Sequence, residues 1–500
     1  MLSTAAIVVS ALLAATNLGA AVMFWFLFHA RAGRSEAQSQ PNTFSAKQRS
    51  QTSNTDDIAS ADKNASKISF SQANLSTAYP QVRGAFEPSV VVVLCLRGND
   101  PFLRKTIEGL SQQVYGDYRI LAVIDHHTDP AWQVVQSAKS ELGLSDCQLE
   151  IQELQNKSEI CGLKCSALIQ AIDSLRSTDD YREVIVTIDA DAVPGPHWLQ
   201  RLVAPLCDPM IGATTSNQWF QPTGLNFGSW VRSVWHAGAI VPTAILANPW
   251  AGTFAMRQKD IIDSGLIDAW GRSIIDDGPV RECLARLKKG IRFIPENLII
   301  NREDCSLGFC FSYVTRMLTW SRLFESTFWI TFTHMVTIVS MHAVILSWAV
   351  VALAFNTSWC LGLGQGLLSW PAAWCSFLIL FGAQWLGYYI VKTTVIGQTV
   401  QAHTDEQAVS ILGGRPGAPG RNLTPNNFMV TLIEALIVFA AVPFALAAYG
   451  FGATMAIFND KVKWRKIHYQ VRGSDNVQML DYQPFARQET SAGQHQHHSL

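Results

Sequence analysis

The 500-residue sequence predicts an α/β protein, a mostly parallel sheet domain flanked by transmembrane helices. Three observations carry this. Residues 88–322 alternate buried-strand and helix patterns, as a parallel sheet with crossover helices does. Two stretches, 1–30 and 326–391, contain no Asp, Glu, Lys or Arg. Charged residues make up 15% of the chain and hydrophobic ones 48%, against about 25% charge in an ordinary soluble domain. The 38 Lys+Arg balance 39 Asp+Glu, which argues against nucleic-acid binding by bulk charge. The apolar content excludes disorder over the whole length. None of the ten Cys forms a Cys-x-x-Cys pair, so they read as reduced thiols or core residues rather than a zinc or disulfide framework.

Residues 4–28 are almost wholly apolar and, at about 1.5 Å per residue, can cross a ~30 Å hydrocarbon core. A cleaved signal peptide fits less well, because no basic segment precedes the run and it exceeds an h-region of about 7–15 residues. Arg31 and Arg34 follow at once, which puts residue 31 onward in the cytosol. Residues 1–30 are therefore expected as an N-terminal anchor. Residues 31–87, rich in Ser, Gln, Asn and Ala, read as a disordered cytosolic linker.

Within 88–322, Ser89–Leu96 is a continuous apolar, β-branched run, as in a strand covered on both faces. Asp100–Gln113 has helical spacing and opens on Asp100-Pro101, a cap residue followed by proline. Tyr118–Ile124 is the next buried strand, and Asp129-Pro130 opens another helix. Glu183–Ile188 is a strand ending in Asp189-Ala190-Asp191, and Asp276 and Asp277 precede a helix over Gly278–Lys288. Residues 219–250 hold Trp219, Phe220, Trp230, Trp235 and Trp250 with few charges. This is either an amphipathic face on the bilayer or core packing. Arg232 and His236 lie one helical turn apart on it, where lipid headgroups or substrate could meet them.

The region 323–458 has room for about three spans, 327–355, 369–391 and 428–457. Glu434 falls near the start of the last, at the interface. Three full spans would put Lys461, Lys463, Arg465 and Lys466 outside, against the charge rule. A re-entrant or interfacial 428–457 would keep them inside. Residues 459–500 read as a polar tail.

Open parallel sheets hold ligands beyond the carboxyl ends of their strands. Asp125, Asp189 and Asp191 stand at such ends, and Asp276-Asp277 precedes a helix. Taken singly, each also suits a helix cap or an Asx turn. Two carboxylates at i and i+2 can turn toward one hard cation, and Mg²⁺ or Mn²⁺ prefers oxygen ligands while bridging phosphates. Neither a P-loop nor a Gly-x-Gly-x-x-Gly turn is present, so phosphates would be held by metal and side chains.

Four stretches then carry a resemblance. They are Cys95-Leu96-Arg97-Gly98-Asn99-Asp100-Pro101-Phe102-Leu103 with Tyr115-Gly116-Asp117-Tyr118, Asp125-His126-His127-Thr128-Asp129-Pro130-Ala131, Asp189-Ala190-Asp191, and Gly252-Thr253-Phe254-Ala255-Met256-Arg257 followed by Asp276-Asp277 and Arg316-Met317-Leu318-Thr319-Trp320. In order and spacing, 88–322 resembles a GT-A-fold, inverting, membrane-bound glycosyltransferase, most closely the ceramide glucosyltransferases. The resemblance implies that Asp125 contacts the uracil and ribose of a UDP-sugar and that Lys164 lies near the nucleotide. It implies that Asp191, with Asp189 as partner, ligates Mg²⁺ or Mn²⁺, and that Asp277 is the general base. Inversion would turn a UDP-α-sugar into a β-glycoside. Asp276 stands where relatives often have Glu. The closing motif keeps Arg316 and Trp320 but has Thr319 in place of its second Arg, and Arg322 or Arg316 is the candidate substitute at the diphosphate.

The leading expectation is transfer of a hexose, glucose first, from a UDP-sugar to a membrane lipid hydroxyl, ceramide-like or diacylglycerol-like. The catalytic domain would face the cytosol. A processive polysaccharide synthase is the alternative, disfavoured by Thr319 and by the small number of C-terminal spans. A non-catalytic scaffold would predict loss of the acidic residues, and they are present.

Overall fold

The computed structural model describes residues 2–38, 86–177, 181–356, 370–402 and 425–485. Helix α1 (Leu2–Gln38) carries the apolar stretch Ile7–Phe26. Most of the expected linker, 39–85, lies outside the described residues.

The sheet of the central domain follows from its buried, β-branched runs. Strands β1 (Val90–Leu96), β2 (Tyr118–Ile124), β3 (Leu149–Glu153) and β4 (Val184–Ile188) are parallel, and β1 and β4 are almost wholly buried. Helices α2 (Leu103–Ser111), α3 (Pro130–Glu141), α4 (Leu163–Ser177) and the short α5 (Trp198–Val203) lie between or beside them. The second half adds β5 (Ile211–Thr215) and β6 (Gln218–Phe220), then α6 (Phe227–Leu246) and β7 (Thr253–Arg257). Three short helices follow, α7 (Gln258–Asp263), α8 (Leu266–Trp270) and α9 (Val280–Arg286), before β8 (Gly290–Phe293) and β9 (Ile299–Asn301). The seven-stranded order is β3-β2-β1-β4-β7-β5-β8, with β7 antiparallel to both neighbours. The mostly parallel sheet expected of a GT-A-type domain is thus observed.

Two helices are shorter than expected. The first begins at Leu103, not Asp100, because the Asp100 carboxylate accepts from Phe102 N at 2.9 Å and holds a turn. The one expected over Gly278–Lys288 spans Val280–Arg286, since Pro279 occupies its cap.

One core, around Ile107, Val135 and Trp198, covers the α2–α3 face of the sheet. The other, around Leu168, Ile172 and Trp270, covers the α4 face. A third joins the domain to the helices beyond it: α10 (Leu307–Phe324), α11 (Phe328–Asn356), α12 (Trp370–Ala402) and α13 (Pro425–Phe458). Trp219, Phe220, Trp230 and Tyr313 pack there against Phe24, Val391 and Val438. Of the two readings of 219–250, core packing is the observed one for these aromatics. Arg232 is fully buried, 3.5 Å from Glu303 Oε2 and stacked on Phe220 at 4.1 Å. His236 Nε2 lies 2.6 Å from Gln218 O, and burial pushes this imidazole down to about 4. Both residues therefore serve the packing, and neither faces headgroups.

Among the described residues, four helical stretches are long and apolar enough to cross a membrane: Ile7–Phe26, Phe328–Ala352, Pro371–Gly397 and Thr431–Phe458. Glu434, in the first turns of the last, pairs with Lys392 of α12.

The polar tail expected from 459 is instead folded over 461–481. Strands β10 (Lys461–Trp464), β11 (Ile467–Gly473) and β12 (Asn476–Asp481) form an antiparallel meander. Its alternate residues Val462, Ile467, Tyr469, Val471, Val477 and Met479 bury themselves in the α4-face core beside Cys161 and Cys165. Met479 N donates to Glu159 O at 2.6 Å. The two-residue turn Arg465-Lys466 has φ of 47° and 68°, the pair of positive values that a type I′ hairpin needs. Residues 486–500 lie outside the described residues.

Candidate active site

The register of the sheet brings the strand-end residues together. β1 and β2 pair Leu96 with Ile124, so the residues that follow, Arg97 and Asp125, emerge side by side and form an ion pair. β4 lies on the other flank of β1 and delivers Asp189 and Asp191. The chain order reverses around β1, the kind of point where open sheets bind ligands.

Gly98 makes the first turn possible. Its φ is +81°, and its N–H donates to both carboxylate oxygens of Asp129, at 3.0 and 2.9 Å. The same Asp129 caps α3 through Ala131 N at 2.8 Å. A Cβ at Gly98 would meet the Phe485 ring at 3.0 Å. Asp125 is 3% exposed, and Tyr482 Oη donates to its Oδ1 at 2.9 Å.

Lys164, in the first turn of α4, bridges two carboxylates: Asp189 Oδ1 at 2.6 Å and Asp276 Oδ2 at 3.1 Å. Gly162 permits this. Its N–H donates to Ser273 O at 2.9 Å, and a Cβ there would strike the Ile274 carbonyl. Burial alone would lower the pKa of Lys164, but Asp189 and Asp276 overcome it and hold the ammonium well above its usual range.

Asp276 and Asp277 sit between α8 and α9. Trp270 Nε1 donates to Asp276 O at 2.7 Å, and Ala251 N donates to Asp277 Oδ2 at 3.3 Å. Burial first, then the charge of Asp276, pushes the Asp277 carboxyl up to about 7, against the pull of Lys164. A carboxylate tuned to that range suits proton abstraction from a hydroxyl near neutral pH.

Asp191 is 7% exposed, and Asn301 Nδ2 donates to its Oδ2 at 2.9 Å. Its carboxyl is held well above the ordinary range by burial, then by Asp189, Asp100 and Glu303. Crowded carboxylates of this kind fit a hard divalent cation, whose charge would relieve them. A cavity of about 250 Å³ beyond Asp191, lined by Lys105, Trp198 and Arg302 among others, is not lined by Asp277. The described residues also include a group of His126, His127 and Glu153 with ligand atoms within 4.8 Å of one another, all partly or fully exposed.

The family model for glycosyl transferase family 21 matches residues 64–399, about two thirds of the chain. The chain belongs to glycosyl transferase family 21. It is a glycosyltransferase, and the sugar transfer expected from the sequence is its activity. The solved structures it resembles include a mannosyltransferase from Pyrobaculum calidifontis in complex with GDP-Man and Mn²⁺, at 13% identity and a TM-score of 0.39, covering 91% of this chain and 99% of that one. Another is glucosyl-3-phosphoglycerate synthase from Mycobacterium tuberculosis with Mn²⁺, UDP and phosphoglyceric acid, at 16% identity and 0.31, covering 49% and 81%. No curated protein matches the chain.

In this family 21 enzyme, Lys164, Asp189, Asp276 and Asp277 form one connected cluster, with Asp191 beside it. Asp125 stands apart, tied to Arg97 and Tyr482. Arg316 has the Tyr313 ring 5.9 Å away, and Trp320 packs at the edge of the α4-face core. Arg322 turns elsewhere: its Nη2 donates to Asn459 O at 3.0 Å. Thr319 is fully buried, and its hydroxyl donates to Thr315 O at 2.8 Å. Residues to which the sequence reading gave no role at the site are Arg465, Tyr482, Glu303 and Asn301. The alternation Ile467-x-Tyr469-x-Val471 and Val477-x-Met479 was the available signal for the meander.

Proposed function

We propose that this enzyme transfers a hexose, glucose first, from a UDP-sugar to the hydroxyl of a membrane lipid, with inversion. The observation that carries the lipid acceptor is the surroundings of Asp277. The N–H on its carboxylate comes from Ala251, at the end of the segment that leaves α6. Asn248 Nδ2 in that segment donates to Glu325 Oε1 at 3.3 Å, just before α11 begins. Ile245, Leu246, Trp329 and Ile330 on the two sides of this junction are 39%, 47%, 63% and 71% exposed, an apolar rim suited to a lipid tail.

In this reading Asp277 accepts the proton of the acceptor hydroxyl as that oxygen attacks the anomeric carbon in line with the departing nucleotide. Asp276 and burial keep Asp277 basic enough, and Lys164 ties the loop that carries both to Asp189. Asp125 and Arg97 receive the nucleoside. Asp191 and Asp189 would hold Mg²⁺ or Mn²⁺, which would neutralise charge on the leaving diphosphate. Arg31 and Arg34 support a cytosolic catalytic domain.

The test uses membranes containing the full chain, labelled UDP-glucose and Mn²⁺, followed by solvent extraction. Label entering the organic phase is expected, absent with Asp277→Asn and with Asp191→Ala. Label in an insoluble polymer would overturn the lipid acceptor, and activity retained by Asp277→Asn would overturn the assignment of the base.

A further inference from the structure

Two guanidinium groups, Arg316 and Arg465, lie within reach of each other's charge and have little to hold them. Arg316, on α10, has the Tyr313 ring at 5.9 Å and no ion pair among the described residues. Arg465 reaches in from the tip of the β10–β11 hairpin. Its nearest carboxylate is Asp100 Oδ2 at 3.5 Å, and that oxygen is buried without a hydrogen-bond partner. The distance is beyond a good charge-assisted hydrogen bond. Burial first, then the charge of Arg465, lowers the pKa of Arg316, and the same charge opposes the rise at Asp191.

Two like charges held together beside a carboxylate pair are what a multivalent anion resolves. Guanidinium forks match phosphate oxygens in pairs. The hairpin is also anchored at this place. Arg97 Nε donates to Arg465 O at 3.0 Å, and Arg97 Nη2 donates to Gln483 O at 2.8 Å. Tyr482 and Phe485 flank the Arg97 guanidinium at 5.5 and 5.7 Å. Arg465 and Lys466 both keep positive φ, where Asn-Gly would be relaxed. A strained turn fixed by its surroundings is a mark of a functional position. The meander lies beyond the residues matched by the family model, which end at 399.

We propose that Arg465 is a donor-site residue whose guanidinium, together with that of Arg316, grips the diphosphate of the nucleotide sugar, so that the C-terminal meander forms one wall of the site. This rests on the nucleotide-sugar reading above. Lys466, with its ammonium 4.2 Å from the Phe485 ring centroid, closes the hairpin against the wall instead of pointing at the anion.

The test is calorimetric titration of the full-length chain in detergent with Mn²⁺, using UDP, GDP and the matching nucleosides. Arg465→Gln should weaken binding of the nucleoside diphosphate about tenfold or more, or about 1.4 kcal/mol, and leave nucleoside binding unchanged. Arg465→Lys should fall between. Asp100→Asn, which frees Arg465, should bind the diphosphate at least as well as the wild type. Equal diphosphate binding by Arg465→Gln and the wild type would overturn the proposal. So would a parallel loss of diphosphate and nucleoside binding with a lowered melting temperature, which marks a structural role. A folded wild type that binds neither UDP nor GDP would instead remove the nucleotide-sugar reading, and this inference with it.

Discussion

Replacing Asp276 by Asn should move the pH dependence of sugar transfer toward acid. Asp277 is pushed up to about 7 by burial and then by the charge of Asp276. Asn keeps the shape but removes that charge. It also frees Lys164 from a carboxylate 3.1 Å away, so its ammonium acts more strongly on Asp277. Both effects lower the pKa, while burial keeps it above the ordinary value of 3.8. A shift of about one unit is the expected scale, or about 1.4 kcal/mol. If Asp277 is the base, as proposed, it must be deprotonated to act, so the rate rises with pH through its pKa. With a midpoint near 7, kcat/KM rises roughly tenfold between pH 6 and pH 8. With a midpoint near 6, the same interval gives only about a twofold rise. The assay is initial rates of nucleotide release and lipid product from pH 5 to 9, at substrate concentrations below KM. A midpoint that stays in place or moves toward alkali would refute the coupling between the two aspartates.

Three further outcomes follow from the same structure. The raised carboxyl of Asp277 favours the folded state fully only below 3.8, and that contribution is lost progressively up to about 7; Asp277→Asn should therefore melt higher than the wild type at pH 8, with a smaller gain at pH 5. Arg232→Met leaves Glu303 buried without its guanidinium and should cost about 3–5 kcal/mol, seen as a lower melting temperature that Arg232→Met combined with Glu303→Gln partly restores. Thr319→Arg puts a long side chain into a fully buried position and should cost about 1–3 kcal/mol without raising the transfer rate.

What the sequence made legible were the features that depend on neighbours along the chain. The runs Val90–Leu96 and Val184–Ile188 are β-branched and apolar throughout, so their burial on both faces could be read directly. Asp125, Asp189 and Asp191 end such runs, and a strand end is where this kind of sheet places polar groups. Four apolar stretches announced themselves by length and lack of charge. Features made by distant residues were not legible. Asp100 reads as a helix cap, and only the fold brings it to Arg465, 3.5 Å away. The meander was hidden because its outward residues are charged or polar, so a half-buried sheet looked like a solvated tail. Arg232 and His236 could be read as a bilayer-facing pair or as core, because helix spacing alone does not say what covers the face. Their burial is set by β6, β9 and the membrane-length helices.

The hydrogen bond from Arg322 to Asn459 also constrains how the chain is threaded through a bilayer. Arg322 precedes α11 and Asn459 follows α13, yet they touch. A chain that returns to the face it left has made an even number of crossings. Among the described residues, three helices of membrane-crossing length lie between these two. Three full crossings alone would leave Arg322 and Asn459 on opposite faces. The same closure keeps the hairpin that carries Lys461, Lys463, Arg465 and Lys466 on the side of the site, where Arg465 lies 3.5 Å from Asp100.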